Sequence, residues 1–128
     1  MSDPEQASVR LGTVGDLEGL IRLEDSFPEE DRFSRRTWRR LLRGNAVTHV
    51  ALLGGPLVGT AVLLFRTGSR VARLYTLSVT PDLRGKGIAR RLMAAGEAIA
   101  AEKGCDRMRL EARESNQHAI LLYERSGY

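Results

Sequence analysis

One segment, residues 79–89, constrains the fold of this chain most, because it joins an apolar strand pattern to a helical pattern through a turn with two glycines. Gly85 and Gly87 carry no side chain, so a ligand can come close to the backbone there. The first N–H groups of a helix lack partners within the helix, and the helix dipole adds partial positive charge around them. The segment therefore predicts a strand, a tight turn and a helix whose start can bind a phosphate group.

Two common phosphate-binding patterns do not fit this segment. A P-loop needs two glycines five positions apart, followed by Lys and then Ser or Thr, and this arrangement is absent. The dinucleotide pattern G-x-G-x-x-G needs a third glycine where this chain has Arg90. The pattern R-x-x-G-x-A does fit, from Arg84 through Gly87 to Ala89. The glycines alone also allow an ordinary strand-to-helix turn that uses Gly for tightness.

A second pattern lies near the end of the chain and matches N-x-x-A-x-x-x-Y-x-x-x-G-[FY]. Its residues are Asn116, Ala119, Tyr123, Gly127 and Tyr128. The first three are spaced i, i+3 and i+7, so a helix places them on one face. Together, the two patterns resemble those of the GCN5-related N-acetyltransferase (GNAT) family, and the resemblance covers about residues 8–128.

The resemblance implies an α/β (α+β) fold in which helices flank a mixed, mostly antiparallel central sheet. Hydrophobic periodicity predicts the order β-α-α-β-β-β-α-β-α within a single domain of 128 residues. Family members usually continue for two more strands, which are missing after Tyr128. We therefore expect a truncated chain, or a second copy that completes the open sheet edge as a homodimer.

Two details of this pattern bear on the site. Residues 87–103 are expected to form the longest helix, with a core stripe of Ile88, Leu92, Ala95 and Ile99. The strand before it is expected to alternate strictly between two faces. Leu74, Thr76 and Ser78 take one face, and Tyr75, Leu77 and Val79 take the other.

The resemblance implies acetyl-CoA as the cosubstrate. Backbone N–H groups of residues 83–89 hold its pyrophosphate, and the side chains of Arg84 and Lys86 add contacts to the phosphates. A bulge within residues 75–79 frees the N–H groups of Leu77 and Val79 for the pantetheine arm. Asn116 touches the cofactor or holds the last helix, and a simple helix cap is an equal alternative. The implied cofactor-binding residues are Leu77, Ser78, Val79, Leu83, Arg84, Gly85, Lys86, Gly87, Ile88, Ala89, Arg90, Asn116 and Tyr123.

Two residues are candidates for catalysis of the acetyl transfer. Tyr123 resembles the family's general acid: a tyrosine with a pKa of about 10 can return a proton to a thiolate whose thiol has a pKa of about 8.5. The alternative for Tyr123 is an amphipathic core residue. Glu111 is the candidate base, because its segment resembles L-E-x-R-x-S-N of the ribosomal-protein N-terminal alanine acetyltransferases. The alternative for Glu111 is an ion pair with a neighbouring arginine, and Glu24 and Glu114 are weaker candidates for the base.

Composition limits the remaining function classes. The net charge is only +4, no apolar run is long enough to cross a membrane, and the first residues lack the charged-then-apolar pattern expected of a signal peptide. A lone cysteine, Cys105, excludes an internal disulfide and suggests the cytoplasm. No Cys/His cluster has metal-ligand spacing. The basic residues 32–40 could bind nucleic acid, but an amphipathic helix with Trp38, Leu41 and Leu42 facing inward is the favoured interpretation.

The sequence thus predicts an N-acetyltransferase that acts on a primary amine, either a peptide N-terminus or a small molecule. Acidic residues 29–31 could attract a cationic amine, although a solvated polar loop is an equal interpretation. The alternative function is a CoA-binding or protein-interaction module with little catalysis, which the missing strands suggest.

Overall fold

The computed structural model describes residues 7–110. Its helices and strands, in chain order, are β1 (Ser8–Leu11), α1 (Leu17–Glu24), α2 (Arg35–Arg43), β2 (Val47–Leu52), β3 (Leu57–Leu64), β4 (Val71–Val79), α3 (Ile88–Glu102) and β5 (Arg107–Leu110). The predicted element order is confirmed as far as β5. The predicted last helix lies outside the described residues, as do Glu111, Glu114, Asn116 and Tyr123.

The five strands form one sheet in the order β1-β2-β3-β4-β5. The first four pair with their neighbours antiparallel; short turns join β2 to β3 and β3 to β4, whereas α1 and α2 lie between β1 and β2. β5 runs parallel to β4, and α3 provides the crossover that a parallel pair requires. The prediction of a mixed, mostly antiparallel sheet flanked by helices is therefore confirmed.

α3 covers one face of the sheet, and α1 and α2 cover the other. The buried stripe of α3 differs from the prediction: it runs through Ile88, Leu92, Gly96 and Ala100, while Ala95 and Ile99 are only half-buried. The reason is Gly96, where a Cβ atom would stand 3.2 Å from Leu63 Cδ1 on β3. The missing side chain lets the helix backbone approach the sheet, so α3 turns its glycine inward.

β4 contains a bulge that the predicted strict alternation missed. Leu63 pairs with Leu74 and Val62 pairs with Thr76, so Tyr75 is an extra residue on β4. A bulge shifts the side-chain alternation by one position. Leu74 and Leu77 consequently lie in the same core beneath α3, which corrects their predicted placement on opposite faces. The bulge expected within residues 75–79 is present.

The loop between α1 and α2 is held by a buried carboxylate. Glu24 is 6% exposed and accepts the backbone N–H of Phe33 at 3.0 and 3.1 Å and the indole N–H of Trp38. The Phe33 ring meets Trp38 edge to face at 5.2 Å and stacks on Tyr75 at 5.4 Å. Glu24 therefore joins the end of α1 to the start of α2 and to the bulge. This role replaces its weaker candidacy as a catalytic base.

We expect Glu24→Ala to lower the free energy of unfolding by about 2–4 kcal/mol, because the Phe33 N–H and the Trp38 indole N–H lose their acceptor. Glu24→Gln keeps one carbonyl acceptor, so we expect a loss about half as large. Urea unfolding followed by Trp38 fluorescence measures both. Glu102→Ala, at an exposed glutamate on α3, is the control and should change stability by less than about 0.5 kcal/mol. Equal stabilities for Glu24→Ala and Glu102→Ala would contradict the assignment.

His49 is a buried histidine on β2, 5% exposed, and its Nδ1 atom has no hydrogen-bond partner among residues 7–110. Burial lowers the pKa of His49, because the charged imidazolium loses its hydration. The folded protein therefore holds His49 neutral. The unfolded chain protonates it below about pH 6.5, so folding stability falls as the pH drops through that value.

We expect the folded protein to lose stability between about pH 7 and pH 5, with a limiting slope of about 1.4 kcal/mol per pH unit for this one proton. The substitution His49→Leu should flatten the curve in this range. Asp16 does not contribute in this pH range. Its hydrogen bond to Arg10 lowers its pKa, so protonation of Asp16 decreases the folding stability only in more acidic solution. Urea unfolding at several pH values tests this, and an unchanged slope in His49→Leu would refute it.

Candidate functional site

The turn between β4 and α3 begins with hydrogen bonds of its own. Leu83 donates its N–H to the Thr80 carbonyl at 3.0 Å, and Arg84 donates its N–H to the Pro81 carbonyl at 3.4 Å. These bonds close a short 3-10 turn over Pro81–Leu83. Two of the N–H groups predicted to bind phosphate, those of Leu83 and Arg84, are thus engaged within the turn. The donors that remain for a ligand begin at Gly85.

Gly85 and Gly87 both adopt the left-handed backbone conformation, with φ of 80° and 87°. Residues with a side chain rarely adopt it, which explains glycine at these two positions. Both are exposed, and a Cβ atom built on either would meet nothing within 4 Å. Open space therefore lies beside the backbone at the places where a phosphate group would approach.

The start of α3 supplies backbone donors next to this space. The first helical bond runs from the Arg91 N–H to the Gly87 carbonyl at 3.2 Å. The N–H groups of Ile88, Ala89 and Arg90 come before this bond and have no partner among residues 7–110. The side chain of Ile88, 1% exposed, fixes the helix start on the sheet. A fifteen-residue helix thus presents its positive end beside the two glycines.

The charged side chains around the turn are mainly basic. Lys86 and Arg90 are exposed on either side of Gly87, while Asp82 lies earlier in the turn. Positive charge, backbone donors and open space together fit an anionic diphosphate. The residues present therefore suit the phosphates of the cofactor that the sequence implies.

Arg84 differs from its prediction as a side-chain ligand of phosphate. Its Nε–H donates to the Val79 carbonyl at 3.2 Å, and its guanidinium carbon lies 5.7 Å from the centre of the Phe27 ring. The side chain is half-buried and joins β4 to the loop after α1. The predicted side-chain contact of Arg84 with phosphate is not supported. Sequence reasoning missed this contact, because nothing near Arg84 in the sequence points to Phe27.

The end of β4 directs its backbone groups in an alternating pattern. Thr80 donates its N–H to the Val58 carbonyl on β3 at 2.9 Å. Since N–H groups alternate in direction along a strand, Ser78 also directs its N–H toward β3. Leu77 and Val79 direct theirs to the other side, where β5 lies. The predicted donors Leu77 and Val79 thus have the required direction, whereas the backbone of Ser78 belongs to the β3–β4 ladder.

Two kinds of feature are absent from residues 7–110: a cluster of metal ligands and a membrane-spanning helix. Residues 7–110 contain no group of three or more His, Cys, Asp or Glu side chains that could hold a metal ion. No helix in that range is long and apolar enough to cross a membrane.

The predicted inward face of α2 is confirmed for Trp38 and Leu41, which are buried, while Leu42 is half-buried.

Comparison with known families gives one match over most of the chain. The model of the "Acetyltransferase (GNAT) family" matches residues 16–128. A mycothiol acetyltransferase of Salinispora tropica is 43% identical over 65 residues, which are 49% of this chain and 21% of that protein. A mycothiol acetyltransferase of Salinispora arenicola matches to the same extent. The chain thus spans about a fifth of the length of the curated relatives it matches.

Solved structures match the whole fold. A ribosomal-protein-alanine N-acetyltransferase of Brucella melitensis is 26% identical, with a TM-score of 0.80 over 95% of this chain and 91% of that one. An aminoglycoside N-acetyltransferase solved in complex with CoA is 20% identical, with a TM-score of 0.78 over 100% of this chain and 89% of that one. At that identity the second match shows a shared fold alone.

Proposed function

Because the chain belongs to the acetyltransferase (GNAT) family, we propose that it transfers the acetyl group of acetyl-CoA directly to a primary amine. The observation that carries this proposal is the turn before α3. Gly85 and Gly87 adopt left-handed conformations beside open space, next to N–H groups at a helix start. This combination suits a pyrophosphate, and it requires that neither glycine position carry a bulky side chain.

Different groups of this chain bind different parts of acetyl-CoA, which supplies the thioester. The N–H groups of residues 85–90 receive the pyrophosphate, and the exposed side chains of Lys86 and Arg90 add positive charge nearby in the sequence. Val79 directs its backbone N–H toward the side proposed for the pantetheine arm and the thioester carbonyl, and Leu77 lies on the same side of β4. Donors fixed in a strand need little reorganisation when the carbonyl oxygen gains negative charge.

Two residues near the end of the sequence, Glu111 and Tyr123, carry the proton transfers. Glu111 accepts a proton from the amine, which is mostly charged at neutral pH when its pKa is about 8–10. The neutral amine attacks the thioester carbon, and the C–S bond breaks. Tyr123 donates its phenolic proton to the departing thiolate, and its phenolate recovers a proton from the nitrogen, which loses its second proton as the amide forms. Asn116 holds the last helix or the cofactor in place for this step.

The acceptor is an amine of a peptide N-terminus or a small molecule. The similar proteins support this class, since their names specify a ribosomal-protein alanine in one case and aminoglycosides in others. In this chain, Glu29 and Glu30 are exposed on the loop between α1 and α2. Their charge would attract a cationic amine. A panel containing a peptide with N-terminal alanine and the aminoglycoside sisomicin tests both kinds of acceptor.

A CoA-binding or protein-interaction module with little catalysis is the second candidate. Tight binding of acetyl-CoA without turnover of any panel amine would favour it.

We place the protein in the cytoplasm, since its lone Cys105 forms no internal disulfide. A homodimer would complete the sheet edge, whereas neither a membrane nor a nucleic acid is proposed as a partner.

We expect Gly87→Ala to weaken acetyl-CoA binding at least tenfold, because a methyl group would enter the space proposed for the phosphates. The left-handed conformation also makes this substitution cost about 1–2 kcal/mol of stability. Isothermal titration calorimetry measures the affinity, and urea unfolding measures the stability.

Gly68 supplies a matched control for this variant. It is exposed, has a φ of 80° and likewise has nothing within 4 Å of a built Cβ atom, but it lies in the turn between β3 and β4. Gly68→Ala should lose similar stability and keep full acetyl-CoA affinity. If both variants bind acetyl-CoA equally well, the proposed phosphate site is incorrect.

We expect Tyr123→Phe to lower kcat by about 10²–10⁴-fold, the range typical of general acid catalysis. The ring remains, so acetyl-CoA affinity should change less than about threefold. Steady-state kinetics with the best amine of the panel, together with calorimetry, separates the two effects. Unchanged kcat in Tyr123→Phe would remove Tyr123 from the mechanism.

A further inference from the structure

We propose that Arg84 is a positioning residue that fixes the loop between α1 and α2, residues 25–34, against the end of β4. The inference rests on the proposed function, in which the acidic residues of this loop attract the amine acceptor. It assigns the Arg84 side chain to the acceptor rather than to the phosphates. The backbone around Arg84 belongs to the cofactor-binding turn, so one residue connects both halves of the site.

The first observation is how Arg84 is held. Its Nε–H donates to the Val79 carbonyl at 3.2 Å, and Val79 is the last residue of β4. The Val79 carbonyl points away from β3, as the Val79 N–H does. It takes no part in the hydrogen bonds between β3 and β4 and can therefore accept the Arg84 side chain. The Arg84 side chain therefore caps the end of β4 and is oriented by it.

The second observation is what the guanidinium meets. It lies 5.7 Å from the centre of the Phe27 ring, within the range of a cation–π contact. Phe27 is 8% exposed, so little water screens the pair. An arginine suits this position because its Nε–H can donate while its planar face covers a ring, and a lysine ammonium offers no such plane.

The third observation is that Phe27 is fixed to the rest of the loop through its backbone. Its N–H donates to the Glu24 carbonyl at 3.0 Å, and its carbonyl accepts the Arg32 Nε–H at 2.9 Å. Arg32 also donates to the Asp25 carbonyl at 3.2 Å. A shift of the Phe27 ring would therefore disturb the hydrogen bonds on both sides of the acidic turn Glu29–Asp31.

These contacts predict separate effects on the two substrates. Loss of the Arg84 side chain should loosen the loop and raise KM for the amine, while the backbone donors for acetyl-CoA stay in place. Loss of the Phe27 ring should have the same consequence. Because both residues act through one contact, the double variant should behave like either single variant.

The experiment compares Arg84→Lys, Phe27→Leu and their combination with the unmodified protein. Hydrogen–deuterium exchange of the free protein reports on the amides of residues 26–33, and calorimetry reports on acetyl-CoA affinity. We expect loop exchange to become about tenfold faster, as loss of a buried cation–π contact implies, with exchange in β2 and β3 unchanged. Acetyl-CoA affinity should stay within about twofold. Arg66→Lys, at an exposed arginine after β3, should leave both unchanged.

Kinetics with the best amine of the panel complete the test. We expect KM for the amine to rise about tenfold in each single variant and no further in the double variant, with kcat within about threefold. Unchanged loop exchange in both single variants would overturn the proposal, even if the protein had no transferase activity. A tenfold loss of acetyl-CoA affinity in Arg84→Lys but not in Phe27→Leu would also overturn it, because it would make Arg84 a phosphate ligand.

Discussion

The extra residue at Tyr75 in β4 is the constraint on which the rest of the site depends. It shifts the strand alternation, so Leu77 lies in the core beneath α3 with Leu74. It turns the Tyr75 ring to the opposite face, where Phe33 stacks on it. One inserted residue thus positions the strand end that leads into the glycine turn, and it also provides the surface against which the loop between α1 and α2 packs.

The glycine turn then joins the end of β4 to α3 in a geometry that suits the proposed phosphate site. Gly85 and Gly87 reverse the chain in conformations that other residues rarely adopt, and α3 starts immediately afterwards with Ile88 buried. The N–H groups at the start of α3 are consequently held by the packing of the helix rather than by a ligand. A rigid arrangement of donors costs little ordering entropy when the diphosphate binds. Arg84, within the same turn, extends this rigidity to the neighbouring loop.

The sequence predicts the local features well, because each depends on neighbouring residues. The glycine turn is one example, and the inward face of α2, with Trp38 and Leu41 buried, is another. Features set by distant contacts do not follow from the local pattern. Strict alternation misses the bulge at Tyr75, which only the family resemblance implied, and the inward turn of Gly96 depends on a leucine of β3. The burial of Glu24 likewise depends on donors that lie nine and fourteen residues away.

An NMR titration of the ¹⁵N-labelled 128-residue chain with acetyl-CoA tests the glycine turn most directly. The amide signals of Gly85, Gly87, Ile88 and Ala89 should shift most, because their N–H groups would donate to the diphosphate. ATP at the same concentration should shift them far less, since it lacks the pantetheine arm that Leu77 and Val79 would hold. Saturable binding of acetyl-CoA that leaves these four amides unshifted would contradict the site, as would a folded protein that binds no acetyl-CoA.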